Sequence, residues 1–250
     1  MSNLRSKLYS AFYDTDPAPI AEFMQWLVTS YNVSDPPRIL DIGCGPGRML
    51  REFAQLGWQP TGMEPDPDYF AQASKVAEAF QNVTLQPGGF ADINTIEEFD
   101  IVTAINGPFY YMLRLQERID ALRRIFLALK PGGILFLDMA NFLWIINNLR
   151  KETHSTATVN GQVVNLVVRP SIDFHDCIFT VVDEFSWNNP LEGEEKITET
   201  SKFAIIPLSE LLYFVENQGF KNIRTYNSYK SRENERLAGS RLMLSAQKQN

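Results

Sequence analysis

The sequence predicts an α/β fold: a mostly parallel β-sheet wound with helices, interrupted after its fifth strand by an inserted antiparallel β layer. Three observations carry this. Short apolar runs alternate with amphipathic helical periods from Arg38 to Asp138, the pattern of strand–helix–strand units joined by right-handed crossovers. The first run, Arg38 to Leu50 (RILDIGCGPGRML), passes from a buried strand through a glycine-rich turn into a helix beginning near Arg48. From residue 156 to 206 the period switches to two around an Asn160-Gly161 hairpin signal, with no room for crossover helices.

Composition sets the outer limits. The 250 residues are 44% hydrophobic and 21% charged. Such a chain buries roughly three quarters of its unfolded surface, so one domain over 1–250 with an insertion at 140–206 is enough. A net charge of −7 and a pI near 5.0 argue against nucleic acid as the main partner, because phosphate backbones are gripped through lysine and arginine. Two cysteines, Cys44 and Cys177, supply neither a disulfide framework nor a zinc cluster, and no metal site is expected. No apolar run of about 18 residues occurs and no signal peptide is indicated. A reducing, cytoplasmic setting without membrane contact is therefore expected. Oligomeric state cannot be read.

Residues 1–35 are expected to form a helical lead-in. Ile20, Phe23, Met24, Leu27, Val28 and Tyr31 recur at three and four, a packing face. The first sheet strand holds Ile39, Leu40 and Ile42. Its turn, Gly43 to Gly47, needs glycine for backbone angles that a Cβ forbids and for close ligand approach. Trp58 to Met63 is the second strand, ending at Glu64; Asp66 then caps a helix from Pro67 to Phe80. Glu64 follows Asp41 at about the distance where nucleotide-binding sheets place an acid on ribose hydroxyls. The third strand is short, near Val83 to Leu85, and precedes Gly88-Gly89-Phe90-Ala91-Asp92.

Asp100 to Ile105 is a buried fourth strand, and Asn106 to Tyr111 just past it faces the ligand crevice of an open parallel sheet. Leu115 to Leu129 is an amphipathic helix stopped by Lys130-Pro131-Gly132-Gly133, and Ile134 to Asp138 is the fifth strand. After a short helical stretch at Phe142 to Leu149 come the antiparallel runs: Ala157 to Val159, Val163 to Val168, Ile178 to Trp187 and Ile197 to Ile205. They are expected to cover the mouth of the crevice. The chain closes with a helix at Pro207 to Gln218, a strand near Asn222 to Tyr229, a polar loop and a strand at Arg241 to Ala246.

The glycine spacing excludes two common nucleotide seats. Arg48 stands where the dinucleotide fingerprint wants its third glycine, and the Gly-Lys-Ser/Thr of a P-loop is absent. The D-x-G-x-G-x-G form led by Asp41 resembles motif I of the class I S-adenosylmethionine-dependent methyltransferases. The helix, Leu129-Lys130-Pro131-Gly132-Gly133 and apolar strand, and the closing helix, Gly219-Phe220 and hairpin, are similar to the same family. The resemblance covers about residues 36–140 and 207–247. It implies a Rossmann-like seven-stranded sheet in the order 3-2-1-4-5-7-6 and S-adenosyl-L-methionine as cofactor. Asp41, Gly43, Cys44, Gly45, Gly47, Glu64 and Pro65 would line that cofactor, with Phe90 on the adenine and Ala104 nearby. Gly89 stands where the family usually carries an acid for the adenine amino group, with Asp92 as a weak substitute.

The lead-in with its Phe12-Tyr13-Asp14 run, and the insertion, look most like small-molecule N-methyltransferases, including nucleotide-sugar types. A nitrogen or oxygen of a small-molecule acceptor is the expected target, with Tyr13, Asn106 and His175 as catalytic candidates; His154 is a second possible base, and Arg169, Asp173 and Asp176 are possible substrate contacts. Asn106-Gly107-Pro108-Phe109 is one residue from the N-P-P-F of methyltransferases acting on adenine or glutamine, which keeps a nucleic-acid or protein substrate open. A binding protein that keeps the cofactor seat without turnover is the third reading.

Overall fold

A computed structural model of the chain describes residues 2–13, 15–34, 36–189 and 193–249. Asp14 of the lead-in lies outside the described residues. Two helices, α1 (Ser2–Tyr13) and α2 (Ala18–Ser30), precede β1 (Arg38–Ile42), α3 (Arg48–Gln55), β2 (Gln59–Glu64), α4 (Pro67–Ala79), β3 (Thr84–Pro87), β4 (Phe99–Ala104), α5 (Leu115–Ala128) and β5 (Leu129–Ala140). Then come α6 (Phe142–Asn147), the strands β6 (Thr153–Val159), β7 (Gln162–Asp173), β8 (Ile178–Asn189) and β9 (Gly193–Ala204), then α7 (Leu208–Asn217), β10 (Phe220–Tyr226) and β11 (Arg241–Lys248).

The first sheet runs β3-β2-β1-β4-β5-β11-β10, which is the predicted order, with β11 antiparallel to both neighbours. It is buried on both faces, as parallel sheets must be. One face sets Leu40, Ile42, Val102, Leu135 and Leu137 against Leu122 and Ile125 of α5 and Leu211 and Val215 of α7. The other sets Ile39, Ile101, Ile134 and Phe136 against Phe23, Met24 and Leu27 of α2 and Phe53 of α3. Adjacent residues of β1, β4 and β5 thus serve opposite cores, the period-two alternation of a pleated strand.

Some boundaries differ from expectation. β5 begins at Leu129 rather than Ile134, because Phe99 already pairs with Leu129 before the register shifts to Ile101 opposite Ile134. Lys130 to Gly133 therefore forms an irregular strand start and not a free loop. β10 starts at Phe220 and carries an irregularity between Lys221 and Arg224, where Asn222 adopts φ 50°.

The inserted strands form a four-stranded antiparallel meander, β6-β7-β8-β9. Its inner face packs Val159, Val164, Leu166, Phe185 and Trp187 on Leu8, with Leu4, Phe12 and Tyr13 of α1 alongside. Farther along the same face, Phe179 meets Phe142, and Phe203 meets Tyr110 and Tyr111. Its outer face carries ion pairs of Arg169 with Glu152 and Glu184 and of Lys196 with Glu184. Among the described residues no helix is long and apolar enough to cross a membrane.

Asp100 fastens the amino edge of the sheet. Only 6% exposed, it accepts the Arg38 backbone N–H at 2.8 Å, the Ser34 hydroxyl at 2.8 Å and Lys130 Nζ at 2.9 Å. Burial alone would raise its pKa; the Arg38 N–H, Lys130 and Ser34 outweigh it and hold the carboxyl below 3.8. A depressed carboxyl stabilises the fold above its unfolded pKa and loses that contribution as pH falls through the folded value. Asp100→Asn is expected to lower stability by about 1–3 kcal/mol at neutral pH. In urea melts at successive pH values, the gap to wild type should close at acid pH below that range.

Candidate active site

The crevice opens at the carboxyl ends of β1, β2 and β4, where the turn Gly43–Gly47 meets Glu64 and the loop after Ala104. The N–H groups of Gly43 and Cys44 both donate to Met63 O, at 2.7 and 3.1 Å. The turn is thereby hung on the end of β2. Gly43 (φ 70°) is required because a Cβ there would stand 2.7 Å from the Pro108 ring. Gly45 holds φ 56°, a conformation that L side chains rarely adopt, and nothing lies within 4 Å of its Cβ direction, so the turn faces open space there.

Glu64 is 6% exposed. Its Oε2 accepts the Gly45 N–H at 2.7 Å and its Oε1 the Asp66 N–H at 2.8 Å. A carboxylate has about four lone-pair sites, so each oxygen keeps one for a vicinal diol. Burial raises the Glu64 pKa against these two N–H donors. Asp41, 2% exposed, accepts the Thr103 hydroxyl at 2.9 Å. Burial pushes its carboxyl up to about 7; Thr103 opposes the shift and the Glu64 charge adds to it. Pro65 Cγ lies 3.9 Å from the Cβ direction of Gly89, next to half-buried Phe90, whose ring meets Phe109 edge-on at 5.7 Å. An open glycine, a diol-ready carboxylate and apolar walls at Pro65 and Phe90 fit an adenosyl group.

Two expected cofactor contacts have their side chains in the core. Cys44 turns its side chain away from the crevice into a core with Leu50, Ala54, Ala73, Val76 and Val83, because Gly62 leaves the space beneath it. Ala104 is 1% exposed and belongs to the core between β1 and α5. Asp92 is exposed and tied into its own turn, where its Oδ2 accepts the Gly89 N–H at 2.9 Å.

Asn106 adopts φ 61° and Gly107 φ 87°. The loop is held from below by Asp138, which is 1% exposed: Oδ2 accepts the Asn106 N–H at 3.0 Å and the Tyr229 hydroxyl at 2.6 Å, and Arg241 Nη1 donates to both oxygens at 2.8 and 2.7 Å. The Asn106 side-chain amide has no partner among the described residues. A Cβ at Gly107 would sit 2.0 Å from the Tyr110 ring.

Over this edge lies α1. Arg5 reaches Glu199 of β9 at 2.8 Å and Asp66 at 3.4 Å, and the Tyr9 ring lies between Tyr13, to which it is tilted, and Tyr69, which it meets edge-on. Tyr13 faces Asp183 of β8. Tyr13 Oη and Asp183 Oδ1 are both shut off from solvent, and the two side chains couple to each other. Burial raises both groups, and for Tyr13 the Asp183 charge adds to it. Through Tyr9, Tyr13 of α1 connects to Tyr69 of α4, just past Asp66.

His175 does not join them. It is exposed in the tight turn between β7 and β8, where its N–H donates to Asp173 Oδ1 at 2.9 Å. His154 is also exposed, bonded to Glu152 at 2.7 Å; Arg169 pairs on the outer face, and Asp173 caps its own turn, Asp176 included. Missed at the sequence level were Asp183, Glu199, Tyr9 and the Asp138–Tyr229–Arg241 brace. Asp183 did carry a signal: in Ile178 to Trp187 it falls in phase with Phe179, Val181, Phe185 and Trp187, an acid at an inward position.

Residues 39–133 match a family model described as a methyltransferase domain. The chain is 23% identical over 246 residues, 96% of each chain, to YqeM of Bacillus subtilis strain 168, itself a candidate methyltransferase. Further curated methyltransferases match over about half of this chain and span about half of their own length. An S-adenosylmethionine-dependent methyltransferase from Clostridium acetobutylicum superposes with a TM-score of 0.82 over 99% of both chains at 13% identity. CalS10, an amino pentose methyltransferase from Micromonospora echinaspora solved with S-adenosylmethionine bound, gives 0.77 over 98% of this chain and 96% of its own at 16% identity. Fold and site together define an α/β enzyme that works with an adenosyl cofactor. Residues 39–133 thus match a methyltransferase domain, and the chain as a whole has the fold of S-adenosylmethionine-dependent methyltransferases.

Asp41 provides a test of the crevice. Its folded pKa of about 7 lies above the ordinary carboxyl value of 3.8, so its stabilising contribution is complete below the unfolded pKa and is lost as pH rises through the folded one. Ligand-free Asp41→Asn, which keeps an oxygen for Thr103, is expected to melt above wild type near pH 8 and level with it at acid pH. Calorimetric scans of both proteins across that range would show whether the gap opens with pH.

Proposed function

We propose that this methyltransferase transfers the methyl group of S-adenosylmethionine to a nitrogen or oxygen of a small molecule, held between the carboxyl edge of the parallel sheet and the inner face of the antiparallel one. The observation that carries this is the closure of the mouth. Arg5 spans from Asp66, two residues past Glu64, to Glu199 in the antiparallel sheet, and Phe203 meets Tyr110 and Tyr111 just past Asn106. A space walled in this way suits a compact acceptor. CalS10, which shares the architecture, acts on an amino pentose.

In this reading the whole chain works as one unit, with residues 1–35 and 140–206 as its roof. Glu64 takes the ribose hydroxyls, the main chain at Gly43, Gly45 and Gly47 lies along the cofactor, and Pro65 and Phe90 flank the adenine. Asp41 adds negative charge beneath them. When bound, S-adenosylmethionine supplies a methyl carbon already activated by a sulfonium. The protein's task is then to hold the acceptor atom in line with that carbon and keep water out, which positioning alone can achieve. Tyr13 and Asn106 stand where they can orient the acceptor. Two free cysteines, one of them exposed, agree with a cytoplasmic setting.

A polymer substrate is disfavoured by two observations. The mouth is lined by Asp66, Asp183 and Glu199, with Arg5 engaged by two of them, and such a surface repels phosphate. The Asn106 loop also cannot take the N-P-P-F conformation, since proline fixes φ near −65° and Gly107 stands at 87° with Tyr110 over it.

Glu64→Gln should weaken S-adenosylmethionine by about 10–100-fold, as two charge-assisted bonds to ribose become neutral ones. Titration calorimetry on the folded variant measures this directly. A well-folded wild type that binds neither S-adenosylmethionine nor its homocysteine product would overturn the proposed site, and turnover of any acceptor would exclude a purely binding role.

A further inference from the structure

Asp138, buried near the end of β5, takes two successive N–H groups of the loop past β4. Its Oδ2 accepts the Asn106 N–H at 3.0 Å, and its backbone carbonyl accepts the Gly107 N–H at 2.8 Å. Both of those residues are left-handed, Asn106 at φ 61° and Gly107 at φ 87°. A residue with a Cβ keeps such a conformation only where its surroundings over-determine it. For Asn106 that over-determination comes from one carboxylate.

The carboxylate is itself fixed from the closing hairpin. Arg241, the first residue of β11, donates to both of its oxygens at 2.8 and 2.7 Å, and Tyr229, in the loop before β11, donates to Oδ2 at 2.6 Å. Arg241 Nη1 also reaches Tyr229 Oη at 3.0 Å, and the guanidinium lies over the Tyr229 ring at 4.9 Å. A carboxylate gripped at both oxygens cannot swing away from the loop.

The loop in turn touches the cofactor turn. Pro108 follows Gly107, and its ring atoms stand 2.7 Å from the Cβ direction of Gly43. The first glycine of the turn is thus walled by this proline while its own N–H is held by Met63 O at 2.7 Å. A shift of Asn106 and Gly107 carries Pro108 with it and removes that wall.

We propose that Asp138 is a positioning residue of the cofactor site: locked by Arg241 and Tyr229, it holds Asn106 left-handed, seats Pro108 on the Gly43 turn, and so makes cofactor affinity depend on two side chains of the closing hairpin. This rests on the cofactor site alone and holds for any acceptor. The competing account is simple fastening, in which the brace stabilises the sheet and nothing more. Asp100 is the comparison for that account, being also buried and also bonded through both oxygens, but at the amino edge of the same sheet.

The test is titration calorimetry of the full chain with S-adenosylhomocysteine, at a temperature where circular dichroism shows every variant folded. This ligand has no sulfonium, so removing a negative charge does not weaken it through the loss of attraction to a sulfonium cation. Asp138→Ala and Arg241→Gln should each weaken it about tenfold, and the double variant no more than Asp138→Ala alone, because both cut one linkage. Arg241→Lys, which keeps the charge, should recover part of the loss. Tyr229→Phe, the mildest cut, should cost about threefold and serves where Asp138→Ala does not fold. Asp100→Asn should melt lower and bind as wild type.

The decisive variant adds Asn106→Gly to Asp138→Ala or to Arg241→Gln. Glycine takes positive φ unaided, so affinity should return to within about threefold of wild type, an outcome that simple fastening does not produce. The proposal is overturned if Arg241→Gln and Tyr229→Phe bind as wild type, if Asp100→Asn loses as much affinity as Arg241→Gln, or if Asn106→Gly restores nothing.

Discussion

Buried negative charge at the carboxyl edge of the parallel sheet is the constraint around which the rest of this molecule is arranged. Asp41, Glu64 and Asp138 close β1, β2 and the inner part of β5 and are 2%, 6% and 1% exposed. Each is compensated differently. Asp138 has a guanidinium on both oxygens, a phenol and a backbone N–H, so it is fully satisfied and serves as a brace. Glu64 has two backbone N–H donors and spare lone pairs. Asp41 has one hydroxyl and a like-charged neighbour; burial raises its pKa, the Thr103 hydroxyl opposes the rise and the Glu64 charge adds to it. The gradient from satisfied to unsatisfied runs from framework to crevice, and incompletely compensated charge is what a functional site retains.

The roof repeats this logic. Glu199 is compensated by Arg5 and thereby latches α1 across the mouth; Asp183, one strand over, is left without a cation among the described residues. Floor and roof therefore both present acid to the same space. A sulfonium is drawn to such a field and a phosphate polymer is repelled. Methyl transfer removes the charge from sulfur, so under the proposed function the field that draws the donor holds the spent cofactor less strongly.

What was legible in the sequence follows from the range of the interactions involved. The turn at Gly43–Gly47, Glu64, the helix cap at Asp66 and the closing hairpin are set by residues adjacent in the chain, and turn chemistry reads them directly. Asp66 does cap α4, accepting from the Asp68 and Tyr69 N–H groups at 2.9 and 3.2 Å. The Asn160-Gly161 signal revealed the antiparallel layer. The roof's chemistry was harder to read because it depends on register between distant segments: Asp183 matters through Glu199, 16 positions on by the numbering, and through Tyr13 at the other end of the chain. His175 was chosen by residue type, and residue type says nothing of a place in an exposed turn. The side chains of Cys44 and Ala104 lie in the core: Cys44, in the turn past β1, fills space that Gly62 leaves, and Ala104 ends the buried strand β4.

The Asn106 loop shows how far one residue can shift a reading. In sequence, Asn106-Gly107-Pro108-Phe109 differs from an amide-binding motif by a single proline. In the structure that position stands at φ 87° under the Tyr110 ring, a conformation proline cannot adopt, so the likeness ends at the letters. Tyr110 is placed there by Phe203 of the roof, at 4.8 Å, and by Phe142 at 5.4 Å. The antiparallel layer thus packs directly on the loop past β4, and on the proposed function the two border the acceptor together.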